Sequence, residues 1–216
     1  MKARNLVLSI ALSLSAIGST QTLAAESEEL LHIQTRWAEV NYTLQDDEQE
    51  KAFDMLVAEA NAWIEREPDN ADAYVWRGII QSTYAGAKGG LGALGLAKKA
   101  RKSLEHALEL DPDALDGSAY GSLGTLYYKV PGWPLGFGDD KKAGELLLKA
   151  LAINPDGIDP NYFYADYLYE QGDYQGAKIA AEHALQAPPR PERPLADEKR
   201  RQEIQALMEK IAAKVN

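Results

Sequence analysis

The chain has 216 residues, a formal charge of −10 at neutral pH and no cysteine. A surface that acidic repels phosphate backbones, which argues against a nucleic-acid partner. Without cysteine there is no disulfide and no thiol nucleophile, so stability has to come from packing.

The first 25 residues read apart from the rest. Lys2 and Arg4 precede an uncharged apolar run from Leu6 to Ile17, and the small pair Ala24 and Ala25 precedes Glu26. A basic start, a short apolar middle and a small-residue exit predict a secretory signal peptide cleaved near Ala25. The run is shorter than the roughly 20 apolar residues that span a bilayer, so stable membrane insertion after cleavage is not expected. Losing Lys2 and Arg4 takes the charge from −10 to −12. Export to a periplasm is the expectation, with no cysteine to carry a lipid anchor.

Four segments then end alike: "AWIEREPDN" at Pro68, "HALELDPDA" at Pro112, "KALAINPDG" at Pro155 and "HALQAPPR" at Pro188 and Pro189. The residue before a proline is pushed out of the helical region, so each segment is predicted to close a helix. Upstream, apolar or small residues recur three and four apart: Ala100, Leu104, Ala107; Ala143, Leu147, Ala150; Ala177, Ala181, Ala184. Each set is the stripe of one buried helix. An earlier helix precedes each stripe, over residues 74–78, 120–128 and 162–169, with Gly78, Gly124 or Ala165 set among aromatics. Two helices approach closely only where something small lies at their crossing.

In "NYFYADYLYEQGDYQGAKIAAEHALQAPP" the small Ala165, the turn at Gly172 and Asp173, then Ala177, Ala184 and Pro189 fall at the spacing of the tetratricopeptide repeat. The chain resembles that family over about residues 69–189, with a degenerate copy over 26–68. The resemblance implies an all-α fold of tandem antiparallel helix pairs, stacked in a right-handed superhelix whose inner face binds a protein or peptide. It implies inward positions on the first helix of each pair: Val75, Ile79 and Ser82; Gly121, Thr125 and Tyr128; Tyr162, Asp166 and Tyr169. Stacking also follows from the stripes themselves, since one hairpin alone cannot bury its own.

Two copies are stretched at the turn inside the hairpin, near residues 83–97 and 129–140. In the first insert "GLGALG" carries the letters of a dinucleotide fingerprint, but that fingerprint needs a preceding strand. Its glycines, at about 1 kcal/mol each inside a helix, predict that the second helix firms up only near Gly95 or Leu96. Lys88, Lys98 and Lys99 lie near that expected helix start and are a candidate anion site, with solvated lysines as the alternative. In the second insert, "KVPGWPLGFGDDKK", Trp133 and Phe137 are expected to tether the loop. They pack on Leu91 and Leu94 and seal the stack, or they line a small-molecule or peptide pocket.

After the stiff "APPRPERP", Ile204, Leu207, Met208 and Ile211 share one helical face, predicting a C-terminal helix that caps the last repeat; a free partner-seeking helix is the alternative. Domain bounds are thus 1–25 signal, 26–189 repeats in about four pairs, and 190–216 linker plus cap. No catalytic constellation assembles. His32, His106 and His183 stand alone without metal-binding spacing, and "DPDALDG" and "NPDGID" lack the closing glutamate of a calcium loop. No metal or cofactor is expected. The expectation is a non-catalytic periplasmic adaptor for a protein or peptide of the cell envelope. The segments "LGTLYYKVP" and "GDDKKAGELLLKALAINPDG" are also similar to the periplasmic tetratricopeptide T-component of TRAP-type importers, which implies a ligand-binding accessory. A structural role in envelope assembly is a third reading.

Overall fold

The computed structural model describes residues 18–215; the expected signal segment lies for the most part outside them. Its helices are α1 (Gly18–Thr43), α2 (Asp46–Arg66), α3 (Ala71–Lys88), α4 (Gly90–Leu110), α5 (Ala114–Lys129), α6 (Asp140–Ile153), α7 (Ile158–Glu170), α8 (Tyr174–Gln186) and α9 (Pro194–Val215). Each odd helix up to α7 pairs with the next, and the pairs stack in series as a right-handed superhelix. The helix ends follow from the sequence. Glu67, Asp111 and Asn154, each before a proline, leave helical φ and ψ. Asn70, Asp139 and Asp173 then cap the next helix by accepting from the backbone N–H of Asp72, Lys142 and Gly176.

The predicted stripes are the core. Ala100, Leu104, Ala107, Ala143, Leu147, Ala177, Ala181 and Ala184 are all at 0 % exposure. The small residues lie where helices cross: a Cβ on Gly78 would stand 2.5 Å from Leu104 Cγ, and one on Gly124 would stand 2.8 Å from Leu147 Cγ. Three apolar clusters result. The first joins α1, α2 and α3 around Trp37, Phe53, Trp63 and Trp76; the second spans α3 to α6; the third joins α7, α8 and α9.

The first insert corrects the expectation drawn from its glycines. No long turn forms: α3 runs on to Lys88, α4 begins at Gly90, and Gly89 and Gly90 turn the chain at φ of +60° and +56°. Gly92 and Gly95 lie inside α4, because Ala93, Leu96 and Ala97 pack on the second cluster and tertiary burial outweighs propensity. The insert is a taller hairpin.

The second insert is a compact loop over residues 130–139. Gly138 N–H donates to Pro131 O at 3.0 Å and Asp139 N–H donates to Tyr127 O at 2.9 Å. The backbone is so close there that a Cβ on Gly138 would lie 2.0 Å from Val130 O. Phe137 anchors the loop, edge-on to Tyr127 at 5.5 Å with the Arg101 guanidinium 4.6 Å over its ring. Trp133 does not tether it: this ring is 90 % exposed at the tip, with Leu135 beside it at 72 %. The expected partner Leu91 has its side chain outside the described residues.

The C-terminal helix caps the stack as expected, with Ile204, Leu207 and Ile211 buried against the alanines of α8. It also does more. Its first turn, at Leu195 and Ala196, joins the cluster of Trp37 and Trp76, and α9 touches α1 as well as α7 and α8. The last helix therefore reaches back to the first.

Candidate functional site

The first helices of the pairs neighbour one another, α1 on α3, α3 on α5 and α5 on α7, and so form the inner wall of the superhelix. The segment 187–193, called here the strap, and the adjacent face of α9 lie opposite. Together they enclose a cavity of about 1650 Å³. Seven of the nine expected inward residues line it: Ile79, Ser82, Gly121, Thr125, Tyr128, Tyr162 and Asp166. Val75 is instead fully buried in the second cluster, and Tyr169 packs in the third, 5.4 Å from Tyr174. Leu94 lines the cavity, whereas Trp133 and Phe137 do not.

The lysines do not converge. Lys88 pairs with Glu50 of α2, while Lys98 and Lys99 are exposed on α4, eight and nine residues past its start at Gly90. That is about 12 Å along the axis from the helix N-terminus they were expected to flank. The histidines each meet one carboxylate: His32 with Glu59, His106 with Glu109, His183 with Asp156. None of the three lines the cavity.

Sequence reasoning missed the strap side. Asp159, at the start of α7, accepts from Arg190 Nη1 at 2.6 Å and from Arg200 Nε at 2.7 Å. Asp197 accepts from Arg190 Nε at 2.9 Å and Arg201 Nε at 3.1 Å, and Arg201 also donates to the carbonyls of Leu185 and Ala187. Burial alone would raise the Asp159 pKa, but the guanidinium groups of Arg200, Arg190 and Arg193 outweigh it and hold the carboxyl well below its ordinary range. Arg200 lies 4.4 Å over the Tyr162 ring, and burial pushes that phenol up to about 12. On the wall, Tyr128 Oη donates to Asp166 at 2.8 Å, and Lys129 pairs with the same carboxylate at 2.8 Å. Burial, then the Asp166 charge, raises the Tyr128 phenol. The available signal was two arginines, Arg190 and Arg193, within a proline-rich stretch of an acidic chain.

One edge of the cavity is strained. Leu115, Asp116 and Gly117 take φ of 49°, 54° and 74° in succession, and all three line the cavity. The left-handed region is unfavourable for leucine and costs of order 1 kcal/mol or more. Gly117 is required twice over, since a Cβ there would also lie 2.9 Å from Ile153 Cδ1.

Residues 91–114, which cover most of α4 and the turn after it, match the family model of the tetratricopeptide repeat. The structure is similar to that of a thermophilic TPR protein from Thermus thermophilus, with a TM-score of 0.57 over 87% of this chain and 94% of that one at 16% identity. The fold is the tetratricopeptide superhelix. MamA is also similar, with a TM-score of 0.45 over 79% of this chain and 95% of that one at 20% identity. No curated protein matches the chain in sequence. Tetratricopeptide proteins in general bind protein partners and serve as scaffolds.

Proposed function

We propose that the protein is a periplasmic, non-catalytic adaptor that holds a peptide segment of a cell-envelope partner in the cavity of its concave face. The observation that carries this reading is the cavity itself together with the loop at its mouth. Its volume, about 1650 Å³, exceeds the roughly 300–1,000 Å³ usual for small-molecule sites. Val130, Pro131 and Leu135 of the loop border it, and Trp133 between them offers an exposed ring to the body of a partner. The signal-like start supports export. No helix among the described residues is long and apolar enough to cross a membrane. The placement of all three histidines away from the cavity and the absence of a cysteine nucleophile support a non-catalytic role.

A second reading, a ligand-binding accessory of a TRAP-type importer, is favoured by one feature. The return of α9 to α1 walls off one side of the concave face.

The test is photo-crosslinking in periplasmic extract from a reactive residue placed at Ser82 inside the cavity, at Trp133 on the loop, or at Ala58 on the outer surface. One protein captured from Ser82 and Trp133 but not from Ala58 is the expected result. Ser82→Trp, which projects a large ring into the cavity, and Trp133→Asp should each reduce that capture about tenfold or more while leaving the melting temperature within a few degrees. Capture that is equal from Ala58, or insensitive to both substitutions, overturns the reading. A small molecule retained in native mass spectra, with no protein captured, favours the second.

A further inference from the structure

The strap is fastened at both ends and thinly held between them. Ala187 is buried in the third cluster, and Arg201 donates to its carbonyl at 2.8 Å; Leu195 and Ala196 pack in the first cluster. Between these ends Pro188, Pro189, Pro191, Glu192 and Pro194 are exposed. Two side chains seat the span: Arg190 donates to Asp159 at 2.6 Å, and the Arg193 guanidinium lies 5.3 Å from the centre of the Trp76 ring. They act in opposite senses. Burial alone would lower the Arg190 pKa, but Asp159 and Asp197 outweigh it, so the seated position favours that charge. At Arg193 burial prevails over the attraction of Asp159 and lowers the pKa, so that charge gains by returning to water. The Arg193 Nε is buried with no protein acceptor, and so is Trp76 Nε1. Buried donors without acceptors are destabilising. Release at Arg190 strands no charge, because Asp159 keeps Arg200 at 2.7 Å and Arg190 keeps Asp197 at 2.9 Å.

We propose that the strap is a hinged flap over the Trp76 end of the cavity, caught by the Arg190–Asp159 pair, and that its lifting hydrates the two stranded donors and opens that end to an occupant. Each of the four prolines fixes its own φ, so the span swings about its fastened ends rather than crumpling. Opening breaks one charge-assisted hydrogen bond and one cation–π contact and leaves all three apolar clusters intact, which makes it a local event. The flap would serve a peptide or a small ligand alike, and so goes beyond the adaptor reading.

The experiment oxidises the full chain slowly with dilute N-bromosuccinimide and counts the product at each tryptophan by peptide mass spectrometry. Trp76 and Trp63 are almost equally buried, at 3 % and 1 % exposure, but only Trp76 meets the strap. Trp76 should react about tenfold or more faster than Trp63, since local opening is far more frequent than global unfolding. Arg190→Gln, which releases the catch, should speed Trp76 a further fivefold or so and leave Trp63 unchanged, about the effect of one charge-assisted hydrogen bond. Arg190→Lys, which keeps the charge, should fall between. Low urea should speed Trp63 steeply and Trp76 little, because lifting the flap exposes little surface. Equal rates at the two rings, or an equal gain at both from Arg190→Gln, overturns the proposal, since exposure then follows global unfolding. A fast Trp76 that is indifferent to Arg190→Gln also overturns it, because the reagent then enters by the cavity mouth past a fixed strap. Should Arg190→Gln fail to fold, Arg190→Lys and the urea series decide. Crosslinking from Ser82 judges the adaptor reading separately, because the oxidation needs no partner.

Discussion

Gly78 faces Leu104 and Gly124 faces Leu147, whereas the corresponding positions of the third pair are Ala165 and Ala181. The third crossing shares a smaller side-chain volume between its two helices, where the first two place it all on one, and both arrangements pack closely. Gly124→Ala is expected to overpack by about 1–3 kcal/mol, partly offset by about 1 kcal/mol of helix propensity. Leu147→Ala alone should cost about 2–5 kcal/mol. The double substitution recreates the alanine pair of the third crossing, so it should be more stable than the sum of the two by about 1 kcal/mol or more. A urea double-mutant cycle checks this, and simple additivity would show that the seam tolerates either arrangement.

At the scale of the element, the strap is held by ionic contacts and is therefore sensitive to acid. Asp159 has a folded pKa below its unfolded value, because Arg200, Arg190 and Arg193 outweigh its burial. A depressed carboxyl contributes stability above its unfolded pKa of about 4, and the contribution is lost as pH falls through the folded value. The melting temperature of the wild type should thus fall between about pH 5 and about pH 2, while Asp159→Asn should melt lower at about pH 7 and fall less. Equal falls would assign the acid sensitivity to other carboxylates. The elements also explain what a reader of the sequence can and cannot see. The alanine stripes, the proline stops and the capping face of α9 were legible because spacing within one helix encodes them. The helical first insert was not, since the burial of Ala93, Leu96 and Ala97 outweighs the two glycines inside α4, Gly92 and Gly95, and only the neighbouring helices supply it. Trp133 was misassigned because the close backbone of its loop, with Gly138 against Val130, leaves Phe137 as the inward ring.

At the scale of the whole molecule, seven of nine inward positions were legible from the repeat register, but the strap side was not. The contact of α9 with α1 joins opposite ends of the chain, and no local pattern announces such a meeting. Leu195 and Ala196 seal the apolar cluster of Trp37 and Trp76 at the start of the array, while Ile204, Leu207 and Ile211 seal the alanines at its finish. A stacked array ordinarily loosens from whichever terminal unit lacks a neighbour. Deleting residues 188–216 should therefore speed amide exchange in α1 and α3 as well as in α7 and α8, which deuterium uptake by mass spectrometry would register; a rise confined to α7 and α8 would mean the backward contact carries no stability. With its two margins clasped by one helix, the array of described helices has no loose edge from which to unzip, and its opening should be a single concerted event.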